Sequence, residues 1–170
     1  MVDARQIPLI VFGVGNVGRM FLTQLIQTQS SLAARYGVNL SPVALAEIDG
    51  VLIDPAGFSL DALQATISTR ANGESFARLP GAQVDLSPVD VVNYAADQGV
   101  QNAVVVDVTA ANGMESAHSR ALELGYGVVL ANKRPLSGAW DVAREFFEHP
   151  FVFFEATVGA GVPVIYTLRY

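Results

Sequence analysis

Apolar residues at the start of the chain follow two spacings in turn, first that of a strand and then that of a helix. Residues 9–12 are continuously apolar, as in a strand that is covered on both faces of a parallel sheet. Beyond them, apolar residues recur at helical spacing: Val17, Met20, Phe21, Leu22, Leu25 and Ile26. We predict a buried strand, then a helix from Asn16 to about Arg35 that ends near Gly37, a natural left-handed cap.

The same reading along the rest of the chain predicts strands that alternate with helices. The predicted strands are Pro42 to Ile48, Asn102 to Val108, Gly127 to Ala131 and Phe151 to Glu155. The predicted helices are Leu60 to Arg70, one that starts at Ser87-Pro88, Glu115 to Leu124 and Ala139 to Glu148. Residues 54–57 read as a turn and residues 71–84 as a loop. With at least five strands and no hairpin signal, we expect a Rossmann-type α/β fold, a doubly wound parallel sheet in three α/β/α layers.

Glycines fill the turn between the first strand and the first helix. Gly13, Gly15 and Gly18 have the spacing G-x-G-x-x-G, which is typical of dinucleotide binding when a strand precedes it and a helix follows. Gly13 permits the tight turn, Gly15 lets the backbone approach a pyrophosphate, and Gly18 lets helix and strand pack closely. The segment, with Val14, Asn16 and Val17 between the glycines, therefore predicts a cofactor site on the helix N-terminus. The alternative is an ordinary glycine-rich turn.

Two carboxylates close the second predicted strand. Glu47 and Asp49 lie where such folds place an acidic side chain against the adenosine ribose 2′-hydroxyl. They are farther from Gly18 than the usual spacing of about 20 residues, which a long first helix and a loop from Tyr36 to Ser41 would explain. Because a carboxylate repels the 2′-phosphate of NADP, we expect a weak preference for NAD. The alternative is a solvated strand end.

Two further polar residues follow later strands. Thr109 comes after the strand at 102–108, and Lys133 comes after the strand at 127–131. Because ligands of open α/β sheets bind beyond the carboxyl ends of strands, Thr109 is a candidate for the nicotinamide or its ribose. Lys133 is a candidate to orient a carbonyl or hydroxyl near the transferred hydride. The alternatives are a turn cap for Thr109 and a surface turn for Lys133.

The histidines and large aromatic residues are assigned structural roles. His118 lies within a predicted helix and His149 precedes a proline, and neither has a partner at metal-ligand spacing. The aromatic residues of the helix at 139–148 are assigned to the core: Trp140, Phe146 and Phe147.

Composition narrows the class of protein. At 170 residues, 51% of them hydrophobic and 15% charged, the chain suits one domain built on a covered sheet. No apolar run approaches the roughly 18 residues of a membrane span, and the start lacks a secretory signal, so we expect a cytoplasmic protein. The net charge of −6, without a basic cluster, argues against nucleic acid and membrane surfaces as partners.

Cysteine is absent from the sequence. This absence excludes disulfides, cysteine-ligated zinc and a thiol nucleophile. Dehydrogenases that work through a thioester, such as the aspartate-semialdehyde and glyceraldehyde-phosphate types, are therefore excluded on chemical grounds.

Four segments together resemble the N-terminal NAD(P)-binding domain of homoserine dehydrogenase: VFGVGNVGRMFLTQL, VDVTAA, ANKRPLSG and, most specifically, FEATVGAGVPVI. The resemblance implies interconversion of L-homoserine and L-aspartate 4-semialdehyde with NAD or NADP, on the route to threonine, isoleucine and methionine. It implies cofactor contacts from Val14, Asn16, Thr109 and Lys133, with Glu47 near the ribose. Lys133 also borders the reacting centre.

The resemblance further implies a monovalent cation, usually Na⁺, near the end of the chain. Its ligands would be the Glu155 carboxylate and the backbone oxygens of Val158, Ala160 and Val162. Hard oxygen ligands suit such an ion. The alternative is a glycine turn that only positions the next helix.

The last residues predict a connection to a further domain. Residues 156–170 contain a glycine turn, a proline and an apolar run without a cap, so we expect residues 1–170 to be the cofactor domain and 156–170 to lead into a missing catalytic and dimerisation domain. By resemblance the proton-transfer lysine lies there, which predicts negligible turnover by this chain alone and a homodimer at full length. Two other interpretations stay open, an amino-acid dehydrogenase such as aspartate dehydrogenase and a non-catalytic NAD(H) sensor.

Overall fold

The computed structural model describes residues 4–159 and 162–168, which form a six-stranded sheet flanked by helices. The strands are β1 (Arg5–Phe12), β2 (Val38–Glu47), β3 (Gly50–Ile53), β4 (Val104–Asp107), β5 (Gly127–Leu130) and β6 (Val152–Phe153). The helices are α1 (Asn16–Tyr36), α2 (Leu60–Ala71), α3 (Pro88–Asp97), α4 (Glu115–Glu123), α5 (Trp140–Glu148) and α6 (Val164–Leu168). Within the described ranges, none of these helices combines the length and apolar character needed to cross a bilayer.

Side chains of the central strand β1 point alternately to the two faces of the sheet, so the core consists of two layers. Leu9 and Val11 of β1 pack with the cluster that includes residues of α1 and α2. Ile10 and Phe12 face the opposite cluster, to which α3, α4 and α5 contribute. Because successive side chains of a strand point to opposite faces, one apolar run supports both layers. The three-layer α/β/α arrangement expected from the sequence is confirmed.

The sheet has the order β3-β2-β1-β4-β5-β6, and all neighbours are parallel except β2 and β3. The expectation of no hairpin was wrong, because β2 turns directly into β3 and pairs with it in antiparallel fashion, Glu47 opposite Gly50. An Asp-Gly pair at 49–50 between two apolar runs was the available signal. The edge strand β3 has no crossover helix before it.

A bulge interrupts the pairing of β1 with β2. Leu9 is opposite Pro42, whereas Ile10 is opposite Ala44, so Val43 is an extra residue in β2. A bulge explains how a strand with neighbours on both sides tolerates Pro42, which cannot donate a ladder hydrogen bond. Val43 and Ala44 consequently both pack into the cluster below α3, α4 and α5.

Several predicted bounds require correction. The second strand starts at Val38, because the segment taken for a loop pairs with β1 from Arg5 onward. The last strand is confined to Val152–Phe153, and a 3₁₀ turn begins at Glu155. The segment read as loop, residues 71–84, contains a 3₁₀ turn at Phe76–Arg78 whose Phe76 is buried.

The aromatic residues of α5 are only partly in the core. Phe146 is buried and Phe147 packs against the same cluster. Trp140, assigned to the core from the sequence, is 64% exposed. It is the first residue of α5, and its ring packs against that of Phe147 with 6.0 Å between centroids, on the outer side of the core.

Candidate functional site

The glycine turn is tightly constrained at two of its three glycines. Gly13 has φ of +94°, and a Cβ there would lie 3.1 Å from Thr109 Cγ2. A Cβ on Gly18 would lie 2.0 Å from the carbonyl oxygen of Gly13, so only glycine fits between turn and helix. At Gly15 a Cβ would meet nothing within 4 Å. Gly13 and Gly18 therefore shape the turn, while Gly15 leaves open space in front of it.

The first turn of α1 lacks a side-chain cap. Its N-cap residue is Gly15, no side chain accepts from its free N–H groups, and the turn holds no acidic residue. The Oδ1 atom of Asn16 accepts from the Arg19 guanidinium at 2.6 Å, on the exposed side of the helix. Free N–H groups and the positive end of a helix of 21 residues favour an anion at this position.

A cavity of about 640 Å³ opens beside this turn. It is lined by four residues predicted from the sequence, namely Gly13, Gly15, Glu47 and Thr109. Its other walls are mostly apolar and include Phe12, Ile48, Val51, Leu86, Pro88, Val91 and Met114. Strand ends and a helix N-terminus thus converge on one crevice at the carboxyl edge of the sheet, where α/β folds bind ligands.

Glu47 is fixed to the glycine turn. Its Oε1 accepts from the backbone N–H of Val14 at 2.6 Å, and its Oε2 lies 3.8 Å from Arg70 Nη2 on α2. Asp49 is directed elsewhere, because its Oδ2 accepts from the backbone N–H of Phe76 at 3.2 Å. Of the two predicted carboxylates, only Glu47 lines the cavity.

Asp107, the last residue of β4, joins two loops at the crevice. Its Oδ1 accepts from the backbone N–H and the hydroxyl of Thr109 at 2.9 and 2.7 Å. Its Oδ2 accepts from the amide of Asn132 at 3.0 Å, and the same amide reaches the carbonyl of Ala111 at 2.9 Å. Asp107 and Asn132 are buried, so the loop after β4 and the loop after β5 are linked beneath the surface.

The hydrogen bonds of Asp107 set its charge state. Burial raises the pKa of this carboxyl, whereas the close contact with His118 and the hydrogen bonds from Thr109 lower it, and the lowering prevails. A wholly buried carboxylate is tolerated only when donors surround it, because an unpaired buried charge is costly. Asp107 is therefore an anion at neutral pH.

Lys133 lies outside the cavity of the glycine turn. It is exposed and lines a second cavity, of about 700 Å³, together with Leu136, Phe147, Phe154 and Ile165. The backbone N–H of the next residue, Arg134, donates to Asn132 Oδ1 at 3.1 Å. The loop that Asp107 holds therefore also positions the lysine beside the second cavity.

The predicted cation ligands are only partly described. Ala160 lies outside the described residues. The carboxylate of Glu155 accepts from the backbone N–H groups of Ile165 and Tyr166, at 2.9 and 3.0 Å, and so holds the start of α6. Val158 and Val162 flank the glycine turn at Gly159. Among residues 4–159 and 162–168, no group of three His, Asp or Glu side chains gathers at metal-binding distance.

Sequence reasoning missed several residues of this region. Asn132 is uncharged, and only the structure shows that its amide connects Asp107 with the loop after β4. His118 was judged ordinary, yet its Nε2 lies 3.1 Å from Asp107 Oδ2. Leu86 and Pro88 belong to a segment that approaches the crevice only through the fold.

Comparison with known proteins finds homoserine dehydrogenases among the relatives of this chain. The chain matches no protein-family model. It is 28% identical to homoserine dehydrogenase from Pyrococcus horikoshii, over 96% of this chain and 48% of that protein. It is 30% identical to homoserine dehydrogenase from Emericella nidulans, over 94% of this chain and 41% of that protein. The chain is a homologue of homoserine dehydrogenases.

Solved structures of homoserine dehydrogenases share the fold of this chain. A hyperthermophilic archaeal homoserine dehydrogenase in complex with NADPH superposes with a TM-score of 0.70 at 26% identity, over 96% of this chain and 48% of that one. The homoserine dehydrogenase of Thermoplasma acidophilum shares the fold, with a TM-score of 0.71 at 24% identity.

The chain spans only part of these relatives. It corresponds to about half of the P. horikoshii enzyme and to 17% of a bifunctional aspartokinase/homoserine dehydrogenase of Arabidopsis thaliana. In the homoserine dehydrogenases the matched part is the N-terminal, nucleotide-binding domain.

Proposed function

We propose that this chain binds a nicotinamide dinucleotide, NAD or NADP, with the pyrophosphate on the N-terminus of α1. The observation that carries the proposal is the uncapped first turn of α1, which opens into the cavity that Glu47 and Thr109 also line. An anion placed there would accept hydrogen bonds from the free N–H groups, and a Cβ on Gly15 would meet nothing within 4 Å. The structure of a hyperthermophilic archaeal homoserine dehydrogenase with the same fold is a complex with NADPH.

The rest of the cofactor follows from the cavity walls. The proposed ribose partner is Glu47, whose carboxylate is already oriented by the N–H of Val14. Apolar residues such as Ile48, Leu86 and Val91 supply the faces for the adenine ring. Thr109, at the far side of the glycine turn, is the proposed contact for the nicotinamide half, with Lys133 beyond it. Asn16 and Val17 would flank the pyrophosphate.

The proposed activity of the whole protein is the NAD(P)-dependent interconversion of L-homoserine and L-aspartate 4-semialdehyde. In that reaction, this chain supplies the cofactor domain, and Lys133 orients the reacting oxygen. A group that moves the alcohol proton must lie within hydrogen-bond reach of that oxygen. We further propose a homodimer in the cytoplasm as the full-length form, and a monovalent cation such as Na⁺ at the turn between Glu155 and Val162.

Replacement of Gly15 by valine tests the cofactor site. The side chain would enter open space, so the free energy of unfolding should stay near that of the wild type. The same side chain would occupy the position of the pyrophosphate, so NADPH or NAD should no longer bind in calorimetric titration.

Gly127→Ala is the matched control. Its Cβ would meet Val104 at an ordinary 3.6 Å, at the opposite end of β5, and binding should be unchanged. Wild-type affinity in the Gly15→Val variant would remove the glycine turn from the proposal.

The choice between NAD and NADP is tested at Glu47. Glu47→Gln removes the negative charge that would repel a 2′-phosphate, and the ratio of Kd(NADP) to Kd(NAD) should fall about tenfold. Asp97→Asn, at the exposed end of α3, makes the same charge change away from the cavity and should leave the ratio unaltered. An equal shift in both variants would indicate net charge rather than a ribose contact.

A further inference from the structure

His118 is a buried histidine for which the proposed cofactor contacts provide no role. It belongs to α4, its side chain is 0% exposed, and its ring stands edge-on to Phe146 with 5.9 Å between ring centroids. Its helix neighbours on the buried face are Ala117 and Ala121. Among the described residues, Nδ1 has no hydrogen-bond partner. This position therefore places a polar ring in apolar surroundings.

Such a placement requires a reason. A buried polar atom without a partner destabilises a core, and an aliphatic side chain of similar size would pack there without that cost. The only described polar contact of the ring is with Asp107, whose Oδ2 lies 3.1 Å from Nε2. At this distance the contact does not meet the geometry of a regular hydrogen bond, yet it brings the Nε2 side of the ring against the carboxylate.

The two carboxylate oxygens of Asp107 contact different groups at the crevice. Oδ1 serves Thr109 alone, through two hydrogen bonds. Oδ2 is placed between the amide of Asn132 and the ring of His118. The ring approaches from α4, beneath the two loops, and so restricts rotation of the carboxylate about its Cβ–Cγ bond. Rotation would move both the Thr109 and the Asn132 hydrogen bonds.

We propose that His118 is a positioning residue of the cofactor site. It acts through Asp107 to hold Thr109 and Asn132 in register, and it touches no ligand itself. The proposal rests on the proposed function only for its effect on cofactor binding, because the effect on the two loops is a property of the protein alone. Its ring must carry a proton on Nε2, because Asp107 Oδ2 can only accept.

A tautomer measurement on the wild-type protein tests the first step without any substitution. A long-range ¹H–¹⁵N correlation spectrum at neutral pH should show the His118 ring protonated at Nε2, with slow exchange of that proton with water. A ring protonated at Nδ1 alone would overturn the proposal.

Three variants test the second step. His118→Leu removes the donor and keeps apolar volume, His118→Gln restores an N–H near the position of Nε2, and Phe146→Leu disturbs the same packing without changing the Asp107 contact. In ¹⁵N spectra without cofactor, the Thr109 amide and the Asn132 side-chain amide should shift in His118→Leu and return toward wild type in His118→Gln.

Cofactor affinity should follow the same order. We expect Kd for NADPH to weaken about tenfold in His118→Leu, to recover in His118→Gln, and to stay near wild type in Phe146→Leu. Unmoved Thr109 and Asn132 signals in His118→Leu, or equal weakening in Phe146→Leu, would overturn the positioning role. If wild type binds no nucleotide, the proposed function fails, while the spectra still decide whether His118 orders the loops.

Discussion

Two glycines of the turn, Gly13 and Gly18, tolerate no side chain because the surrounding protein atoms leave no room for one. The sequence motif alone does not distinguish this packing requirement from a requirement of ligand binding. A Cβ on Gly18 would stand 2.0 Å from the Gly13 carbonyl oxygen, whereas a Cβ on Gly15 would be free. The glycines of the G-x-G-x-x-G motif therefore have different physical roles. Packing governs Gly18, and access to the helix N-terminus governs Gly15.

Gly18→Ala should therefore destabilise the fold. The methyl group cannot be accommodated unless backbone moves, and overpacking of this kind costs about 1–3 kcal/mol. Urea denaturation should show a lower midpoint with an unchanged m-value. The variant Gly15→Ala is the comparison, and a Gly18→Ala midpoint equal to that of Gly15→Ala would contradict this assignment.

Asp107 should contribute to stability above its unfolded pKa and lose that contribution in acid. Its folded pKa is lowered, so the unfolded state binds more protons and stability rises with pH across this range. The contribution should be complete above about pH 5 and should decrease as pH falls below about 4, through the folded pKa.

Asp107→Asn tests this dependence. The variant should be less stable than wild type at pH 7, and the difference in the free energy of unfolding should narrow toward pH 3. Exposed Asp97→Asn is the control for general charge. A difference that stays constant from pH 7 to pH 3 would show that protonation of Asp107 does not contribute.

At the scale of elements, the sequence predicted a helix start correctly where side chains hydrogen-bond to the backbone of the same turn. Ser87 accepts from the N–H of Asp90, and the Asp90 carboxylate accepts in return from the N–H of Ser87, a capping box with proline at the first helical position. This start of α3 was predicted from the sequence. The helix presents Pro88 and Val91 to the cavity, so its cap also fixes a cavity wall.

Ser87→Ala should lower stability by about 1 kcal/mol, because the helix start loses one side-chain acceptor. Thermal unfolding measures the effect. Ser30→Ala, in the exposed interior of α1, removes a hydroxyl from a helix without removing a cap and should not destabilise the protein. If both variants unfold at the same temperature, the capping box does not stabilise α3.

Prediction from sequence failed where contacts between distant parts of the chain determine the local structure. Residues 38–41 looked polar enough for a loop, yet pairing with β1 makes them strand. The role of Glu47 depends on the N–H of Val14, 33 positions away. The contact between His118 and Asp107 also joins elements that no local pattern relates. Repeating patterns within one element, such as the apolar face of α1 or the run in β1, needed no such information.

At the scale of the whole molecule, the edge of the sheet formed by β6 is not paired with a further strand in the described part of the chain. The strand β6 pairs with β5 alone, and Phe153 on it is 60% exposed, with Phe151 and Trp140 also exposed. Unpaired strand edges with apolar side chains promote association with another chain. The glycine turn lies at the central strand β1, away from this edge.

Phe153→Lys should reduce self-association of the chain. A charge on an edge strand disfavours pairing with a second edge. Sedimentation velocity over a range of concentrations measures the weight-average mass. Tyr36→Lys replaces an exposed aromatic residue at the end of α1, far from this edge, and should leave association unchanged. Equal masses for Phe153→Lys and wild type would exclude β6 as the associating edge.

The extra residue in β2 sets which way the end of that strand faces. Val43 and Ala44 point to the same layer, so Leu45 returns to the layer of α1 and α2, and Glu47 follows on that side, within reach of Val14 and Arg70. If the ladder instead ran on without the bulge, with Val43 opposite Ile10, every later residue of the strand would turn to the opposite face of the sheet. The Glu47 carboxylate would then turn away from Val14 and Arg70, so a bulge of one residue determines where the acidic side chain of the crevice lies.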